Sequence, residues 1–513
     1  MPDSVLSNTY SNQEIVELSV SSWFYRNRSI AGFDNPARSL YASIREIVEN
    51  SLDACEIAGV LPHISVKLNG KSTGTDTESI TAGPQNFRLS VSDNGSGISR
   101  KNITKLIGKM LTGTKYTHKQ SRGTFGLGGS LALLYGQVTT QEPILIETGM
   151  MGDSYRHRIL MRLDIEKNKP EILEESQETK NPSDQGTRIS FHLQGDWLRS
   201  KRKILDYFEQ TSVIVPYASI TFEEPDGTRH AFDRLISTLP RPPKPVKPHP
   251  RGVDVEMLKS MISKTKTPNL KPFLERSFQR IGPTTAVKFL EYVGLSGDAE
   301  ISELDTSDLV RIMNAFESFE GFMIPSSNAL SPAGEEVLLA GMSRLSPEFR
   351  VVAERPAAVF EGHPFIIEVG VAYGGELTSG FKLFRFANKI PLLYDEGSDV
   401  ASRVIRELNL KPYGFKTDDP VAFFVHICST KIPYKTVGKE YIADVDVIRR
   451  EIELGLKDCL RRLGEQVRKK YRVHKRKKRE NRLKSYYLFI SDTLGAAVAR
   501  DVSIAQMFPE EDE

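Results

Sequence analysis

Three cysteines in 513 residues, Cys55, Cys428 and Cys459, are too few and too scattered for a disulfide framework or a thiolate metal site. The nine histidines form no local cluster, so a zinc centre is not expected. No apolar run is long enough to span a bilayer, and the N-terminus carries no signal-peptide pattern, so a protein inside the cell with no membrane attachment is expected. Neither sign of charge is in large excess. The formal net charge is +3, so the distribution of charge says more about partners than its sum. No Gly-Lys-Ser/Thr closes the glycine-rich stretch, which excludes a P-loop.

Hydrophobic residues make up 39% and charged residues 26%, as in soluble globular proteins. The length calls for roughly two to four domains. The stretch Ser43-Ile-Arg-Glu-Ile-Val-Glu-Asn-Ser-Leu-Asp-Ala54 organises the rest. It predicts a helix over 35–58, capped by Asp34 or Asn35, with Pro36 in its first turn. Leu40, Ile44, Ile47 and Val48 form an apolar stripe; Glu46, Asn50 and Asp53 form a polar one. Glu46 suits a general base, although a glutamate on an amphipathic helix is often only a surface residue. Asn50 offers a hard, neutral oxygen suited to Mg²⁺ beside phosphates.

Alternation predicts strands around Ile64, Val66 and Leu68 and around Phe87, Leu89 and Val91. The second ends at Asp93-Asn-Gly-Ser-Gly97, where a strand-end carboxylate can accept from an exocyclic amine such as adenine's, or simply make an Asx turn. Residues 98–122 read as a polar connection. Gly123-Thr-Phe-Gly-Leu-Gly128 follows, and then an apolar helix start at Ser130. Glycines before a helix free backbone N–H groups for an anion, though the same pattern occurs in plain flexible connections. A layered α/β sandwich with strands at 143–147, 157–163 and 187–193 fits this region.

Residues 240–250 are proline-dense and mark a boundary. Residues 253–319 read as wholly helical, and 325–470 return to α/β, with strands at 364–372, 382–388 and 420–428. A long helix from 445 repeats Ile448, Ile452, Leu456, Leu460, Leu463 and Val467, then becomes strongly basic over 468–484. That run suits DNA phosphates or a solvated stalk equally. Residues 485–507 read as a further amphipathic segment.

In order and spacing these motifs resemble the GHKL ATPase superfamily, and more closely the B-subunit family of DNA topoisomerase VI. Gly32 to Arg38, His249 to Asp254, Ile281 to Thr285, Gly362 to Phe365 and Ser429 to Glu440 carry the closer resemblance, which spans nearly the whole chain. It implies an α+β multidomain fold: an N-terminal arm (1–20), a GHKL (Bergerat-type) α/β sandwich (21–239), a Pro-rich linker (240–252), a helix-two-turns-helix domain (253–324), an α/β transducer (325–470), and a basic stalk with a partner-binding segment (471–513). It implies ATP and Mg²⁺ as cofactors. By position, Glu46 activates water, Asn50 binds Mg²⁺ and Asp93 binds adenine. Thr114, Lys115, Gly123, Thr124, Phe125, Gly126, Leu127, Gly128, Gly129 and Ser130 line the triphosphate. Lys439 reaches the γ-phosphate from the transducer; spacing alone does not separate it from Lys431 or Lys435. Ser130 stands where the family often has lysine, and Leu410-Lys-Pro-Tyr413 where it often has Trp-Lys-x-Tyr.

The implied activity is that of an ATP-hydrolysing subunit which homodimerises on ATP binding and clamps double-stranded DNA. The separate topoisomerase VI A-subunit cleaves the DNA in an A2B2 heterotetramer, in the cytoplasm of an archaeal cell at the nucleoid. A mismatch-repair-like GHKL ATPase and a nucleotide-gated clamp without hydrolysis are the alternatives.

Overall fold

The computed structural model describes residues 27, 32–70, 82–107, 119–123, 128–164, 167, 169–435 and 439–498. The organising helix is α1, Pro36–Ala58. The Asn35 side chain accepts from the Arg38 amide at 2.9 Å, Pro36 sits in the first turn, and Gly59 ends the helix at φ 68°. Polar spacing alone would have left Asp34 an equal candidate for the cap.

Strands β1 (His63–Gly70), β2 (Gln85–Ser92), β3 (Ile144–Gly149), β4 (Tyr155–Asp164), β5 (Lys169–Thr179), β6 (Gly186–Gly195), β7 (Ser219–Glu223) and β8 (Arg229–Phe232) form an eight-stranded sheet in the order β5-β4-β3-β6-β2-β1-β7-β8. All neighbours are antiparallel except β1 and β7. Ile64, Val66 and Leu68 of β1 and Phe87, Leu89 and Val91 of β2 are buried, as their alternation requires. Helices α2 (Arg100–Leu106), α3 (Gly128–Thr140) and α4 (Trp197–Ile214) complete this layer, and α1 packs against α3 and α4. Each fully buried Leu or Ile of α1 contributes about 1.5–3 kcal/mol.

Two differences from the sequence reading have simple causes. Within 98–122, read as a connection, α2 forms around a single buried side chain, Ile103, so no apolar period announces it. The edge strand β5 is almost wholly exposed and carries Glu171, Glu174, Glu175 and Glu178. It lacks an apolar face, and charge blunts its open edge.

Beyond an extended proline-rich stretch, helices α5 (Val255–Lys264), α6 (Leu270–Ser277), α7 (Pro283–Val293) and α8 (Thr306–Ser318) enclose their own core, centred on Phe273, Phe278, Phe289 and Phe316. Then come α9 (Glu335–Met342), β9 (Phe349–Glu354), β10 (Ala358–Phe360), β11 (His363–Tyr373), β12 (Phe381–Ala387), β13 (Ile390–Pro391), α10 (Val400–Glu407), β14 (Val421–Ser429) and α11 (Asp446–Val498). These strands form a six-stranded sheet in which β12 runs parallel to β14, joined by the α10 crossover. One face packs on α10 and α11. On the other, Phe384, Phe386 and Phe424 belong to the same core as the first sheet. The two sheets therefore share a hydrophobic interior, although the proline stretch and a helical insert separate them in sequence.

Helix α11 runs for 53 residues. Ile448, Ile452, Leu456, Leu460, Leu463 and Val467 are buried, and residues 468–489 are exposed. Residues 485–507, read as a separate segment, are a continuation of this helix as far as Val498; 499–507 lie outside the described residues. Among the described residues no helix is long and apolar enough to cross a membrane.

Candidate active site

Helix α1 is buried on its apolar stripe and over most of its polar one. Glu46 and Asp53 are each 9% exposed and Glu49 only 3%, while Asn50 is exposed. Buried carboxylates need compensation. Arg45 donates to Glu46 Oε1 at 2.7 Å, and its Nε lies 3.5 Å from Glu49 Oε1. Burial first, and the Glu46 carboxylate second, push the Glu49 carboxyl up to about 7.

The start of α3 lies directly on this face. A Cβ on Gly128 would run into Glu46 Oε2, and one on Gly129 would sit 2.7 Å from Asn50 Nδ2. A side chain at either position would displace the end of the Glu46 or Asn50 side chain. The structure thus brings together Glu46, Asn50, Gly128 and Gly129 at a helix N-terminus, where backbone N–H groups favour an anion. Ser130, in the same first turn, is buried.

Asp93 follows β2. Its Oδ1 accepts from the amides of Gly95 (2.9 Å) and Thr187 (3.1 Å), and its Oδ2 from the Ser51 hydroxyl (2.9 Å). Burial raises its carboxyl above the ordinary value, and these three donors oppose that rise. Asp93 is thereby fixed between α1, the glycine turn and β6. Its neighbour Asn94 is structural: its side chain accepts from the His63 amide at 2.8 Å and donates to the Leu61 carbonyl at 3.1 Å.

Lys439 comes from the far end of the chain. It is 7% exposed, and its Nζ donates to the Arg122 backbone oxygen at 3.1 Å, one residue before Gly123. The adjacent Glu440 pairs with Arg38 in the first turn of α1. Lys431 instead faces Glu361 at the surface and Lys435 is exposed, so geometry separates the three lysines.

Sequence reasoning missed a buried charge chain behind this site. Arg122 donates to Asp53 Oδ1 at 2.8 Å and to Glu56 Oε1 at 2.5 Å. Tyr217 also donates to Glu56 Oε1, at 2.5 Å. Lys389, in the β12–β13 turn, donates to Glu56 Oε2 at 2.8 Å. Burial alone would raise the Glu56 carboxyl, but Arg122 and then Lys389 hold it well below the usual carboxylate range. Asp53 therefore serves Arg122. No local pattern announces Arg122 or Lys389, because their partners lie 69 and 333 residues away.

Behind Lys389, Glu368, His426 and Cys428 approach within 4.8 Å of one another. Both imidazole nitrogens are engaged: Nε2 accepts from the Lys389 amide at 2.9 Å, so Nδ1 carries the proton and faces Glu368 Oε2 at 2.7 Å. With both imidazole nitrogens committed, this trio is a brace for the Lys389 turn rather than a metal site.

Thr114, Lys115, Thr124, Phe125, Gly126 and Leu127 lie outside the described residues. Leu410 is 6% exposed and packs in the second-sheet core. For Mg²⁺, the exposed Asn50 amide oxygen and the nearby Glu46 carboxylate are hard oxygen donors that fit.

Comparison with known proteins gives two matching family models. Residues 35–196 match the histidine kinase-, DNA gyrase B- and HSP90-like ATPase family, and residues 325–479 match the topoisomerase VI B subunit transducer. The chain is 39% identical over 477 residues to the B-subunit of type 2 DNA topoisomerase 6 from Saccharolobus solfataricus, covering 92% of this chain and 87% of that one. It is 38% identical over 487 residues to the same protein from Saccharolobus shibatae, covering 94% and 89%. The B-subunit of the DNA gyrase from Myxococcus xanthus aligns over 86% of this chain and 95% of its own, with 8% identity and a TM-score of 0.43.

Proposed function

The chain belongs to the family of type 2 DNA topoisomerase 6 B-subunits, and on that premise we propose how its site works. The protein is the ATP-driven subunit of a type II DNA topoisomerase. ATP lies between α1 and the start of α3. Asp93 accepts from the adenine amine, and Thr114, Lys115 and residues 123–130 line the triphosphate. Glu46 leaves Arg45 to orient a water and take its proton as the water attacks the γ-phosphorus. Asn50 holds Mg²⁺, which when bound offsets phosphate charge. Lys439 exchanges the Arg122 carbonyl for the γ-phosphate.

That exchange links nucleotide state to the transducer (325–470), and two protomers close on one duplex. Strand cleavage belongs to a separate A-subunit in an A2B2 assembly, held by the far end of α11. Leu483, Tyr486, Tyr487, Leu488 and Phe489 are exposed there, and a run of this kind marks a docking face. The preceding basic run, 468–484, tracks DNA phosphates. The division into arm, ATPase domain, linker, helical domain, transducer and stalk, and a place on the nucleoid of an archaeal cytoplasm, belong to the same reading.

The observation that carries it is the meeting of Glu46, Asn50, Gly128 and Gly129, together with Lys439, which is brought from the loop after β14 to the Arg122 carbonyl beside Gly123. Co-purification from the native host tests it. Recovery of a second protein with ATP-dependent relaxation of supercoiled DNA supports it. A chain that neither captures such a partner nor hydrolyses ATP with DNA present contradicts it.

A further inference from the structure

We propose that Arg122 is a positioning residue for Lys439, and that Lys389 ties this seat to the second sheet. The proposal rests on the reading of Lys439 as the γ-phosphate lysine. The backbone oxygen of Arg122 receives Lys439 Nζ, and its guanidinium is spread between Asp53 and Glu56, three residues apart on α1. Spreading over two carboxylates fixes the peptide that carries the acceptor oxygen and the entry to the glycine loop at Gly123. The Arg122 side chain is 1% exposed and that of Lys389 4%, so both ion pairs are shielded from water and salt.

Lys389 closes the circuit from the other layer. It donates to Glu56 Oε2 at 2.8 Å and to the Ser331 hydroxyl at 3.1 Å. Its own backbone is held by His426, and the adjacent Asn388 bonds the carbonyls of Ser121 (3.1 Å) and Ser429 (3.0 Å). The turn 388–389 therefore grips the 119–123 loop directly through Asn388, and through Lys389 by way of Glu56, which Arg122 shares. Lys439 and Lys389 reach the ATPase layer at adjoining points but do different work. Lys439 bonds one neutral carbonyl and can exchange it for a phosphate. Lys389 is bound to a carboxylate that holds it in place. Of these two lysine contacts, one can exchange its partner and the other is held by a carboxylate.

The test uses the full chain assembled with its DNA-cleaving partner, measuring kcat and KM for ATP in Lys439→Ala, Arg122→Gln, Lys389→Met and the double variant Arg122→Gln/Lys439→Ala, with thermal unfolding in parallel. Misplacing a reacting group by about 1 Å costs roughly 10- to 100-fold. Arg122→Gln is expected to lower kcat on that scale with KM nearly unchanged, Lys389→Met to do so more weakly, and the double variant to be no slower than Lys439→Ala. Arg122→Lys is expected to fold and recover part of the loss. Multiplicative losses in the double variant, or a wild-type kcat in folded Arg122→Gln or folded Lys389→Met, overturn the proposal. An unchanged kcat in Lys439→Ala overturns the reading of Lys439 and the seat with it. A reduced kcat there beside a wild-type kcat in Arg122→Gln overturns the seat alone.

Discussion

The ammonium of Lys439 donates to the backbone oxygen of Arg122 at 3.1 Å, across 317 residues of sequence. A chemical group expected at the phosphates thus already rests at the foot of the glycine loop. The neighbouring pair of Glu440 with Arg38 holds the segment that carries Lys439 against α1.

Gly128 tests the packing at the mouth. A methyl group there must displace Glu46 or the start of α3. Gly128→Ala is expected to cost about 1–3 kcal/mol of stability and to abolish most ATP turnover. Calorimetry and a phosphate-release assay on one preparation check both.

The buried charge chain sets an acid limit. Burial would raise the carboxyls of Glu56 and Glu368, but Arg122 and Lys389 hold the first below its ordinary 4.5, and His426 and two backbone amides hold the second below it. A carboxyl depressed on folding stabilises the native state above its unfolded value and loses that contribution as pH falls through its folded value. The melting temperature is therefore expected to drop steadily as pH falls below about 5. Glu56→Gln flattens this dependence and lowers stability at neutral pH by about 3 kcal/mol, the lower end for breaking a buried pair. A Glu56→Gln profile parallel to wild type speaks against the network.

The stalk should act through charge alone. Replacing Lys475, Lys477, Lys478 and Arg479, all exposed, by glutamine is expected to shrink the slope of log affinity against log salt by about 0.9 per lost phosphate contact. ATP hydrolysis without DNA stays as it was. A slope that survives the change removes the stalk from the DNA path.

The exposed apolar turn at the end of α11 makes a separable prediction. Phe489, 69% exposed, contributes nothing to the core. Phe489→Asp is expected to leave folding and ATP binding intact and to weaken capture of the A-subunit in a pull-down. Undiminished capture moves the docking face elsewhere.

Much of this was legible in the sequence. The helix at 35–58, the paired strands, the helical insert and the long basic helix follow from apolar period and proline content, and those elements stand. The candidate site was readable where its pattern is local: Glu46 and Asn50 one turn apart, Asp93 in its glycine turn, and Gly128–Gly129 at a helix start. What was hidden is non-local. Arg122, Glu56 and Lys389 look like ordinary surface charges until the fold buries them together. Nor does the proline stretch show that both sheets share one core, because Phe384 and Phe424 stack across strands far from it in sequence.

Glu46→Ala bears most directly on the central claim, with ATP turnover and ATP-driven dimerisation measured on the same sample. Loss of a general base costs about 10²- to 10⁴-fold, so hydrolysis should fall on that scale while ATP still drives two protomers together. Hydrolysis at the wild-type rate in the folded variant would contradict the assignment of Glu46 as the residue that activates water.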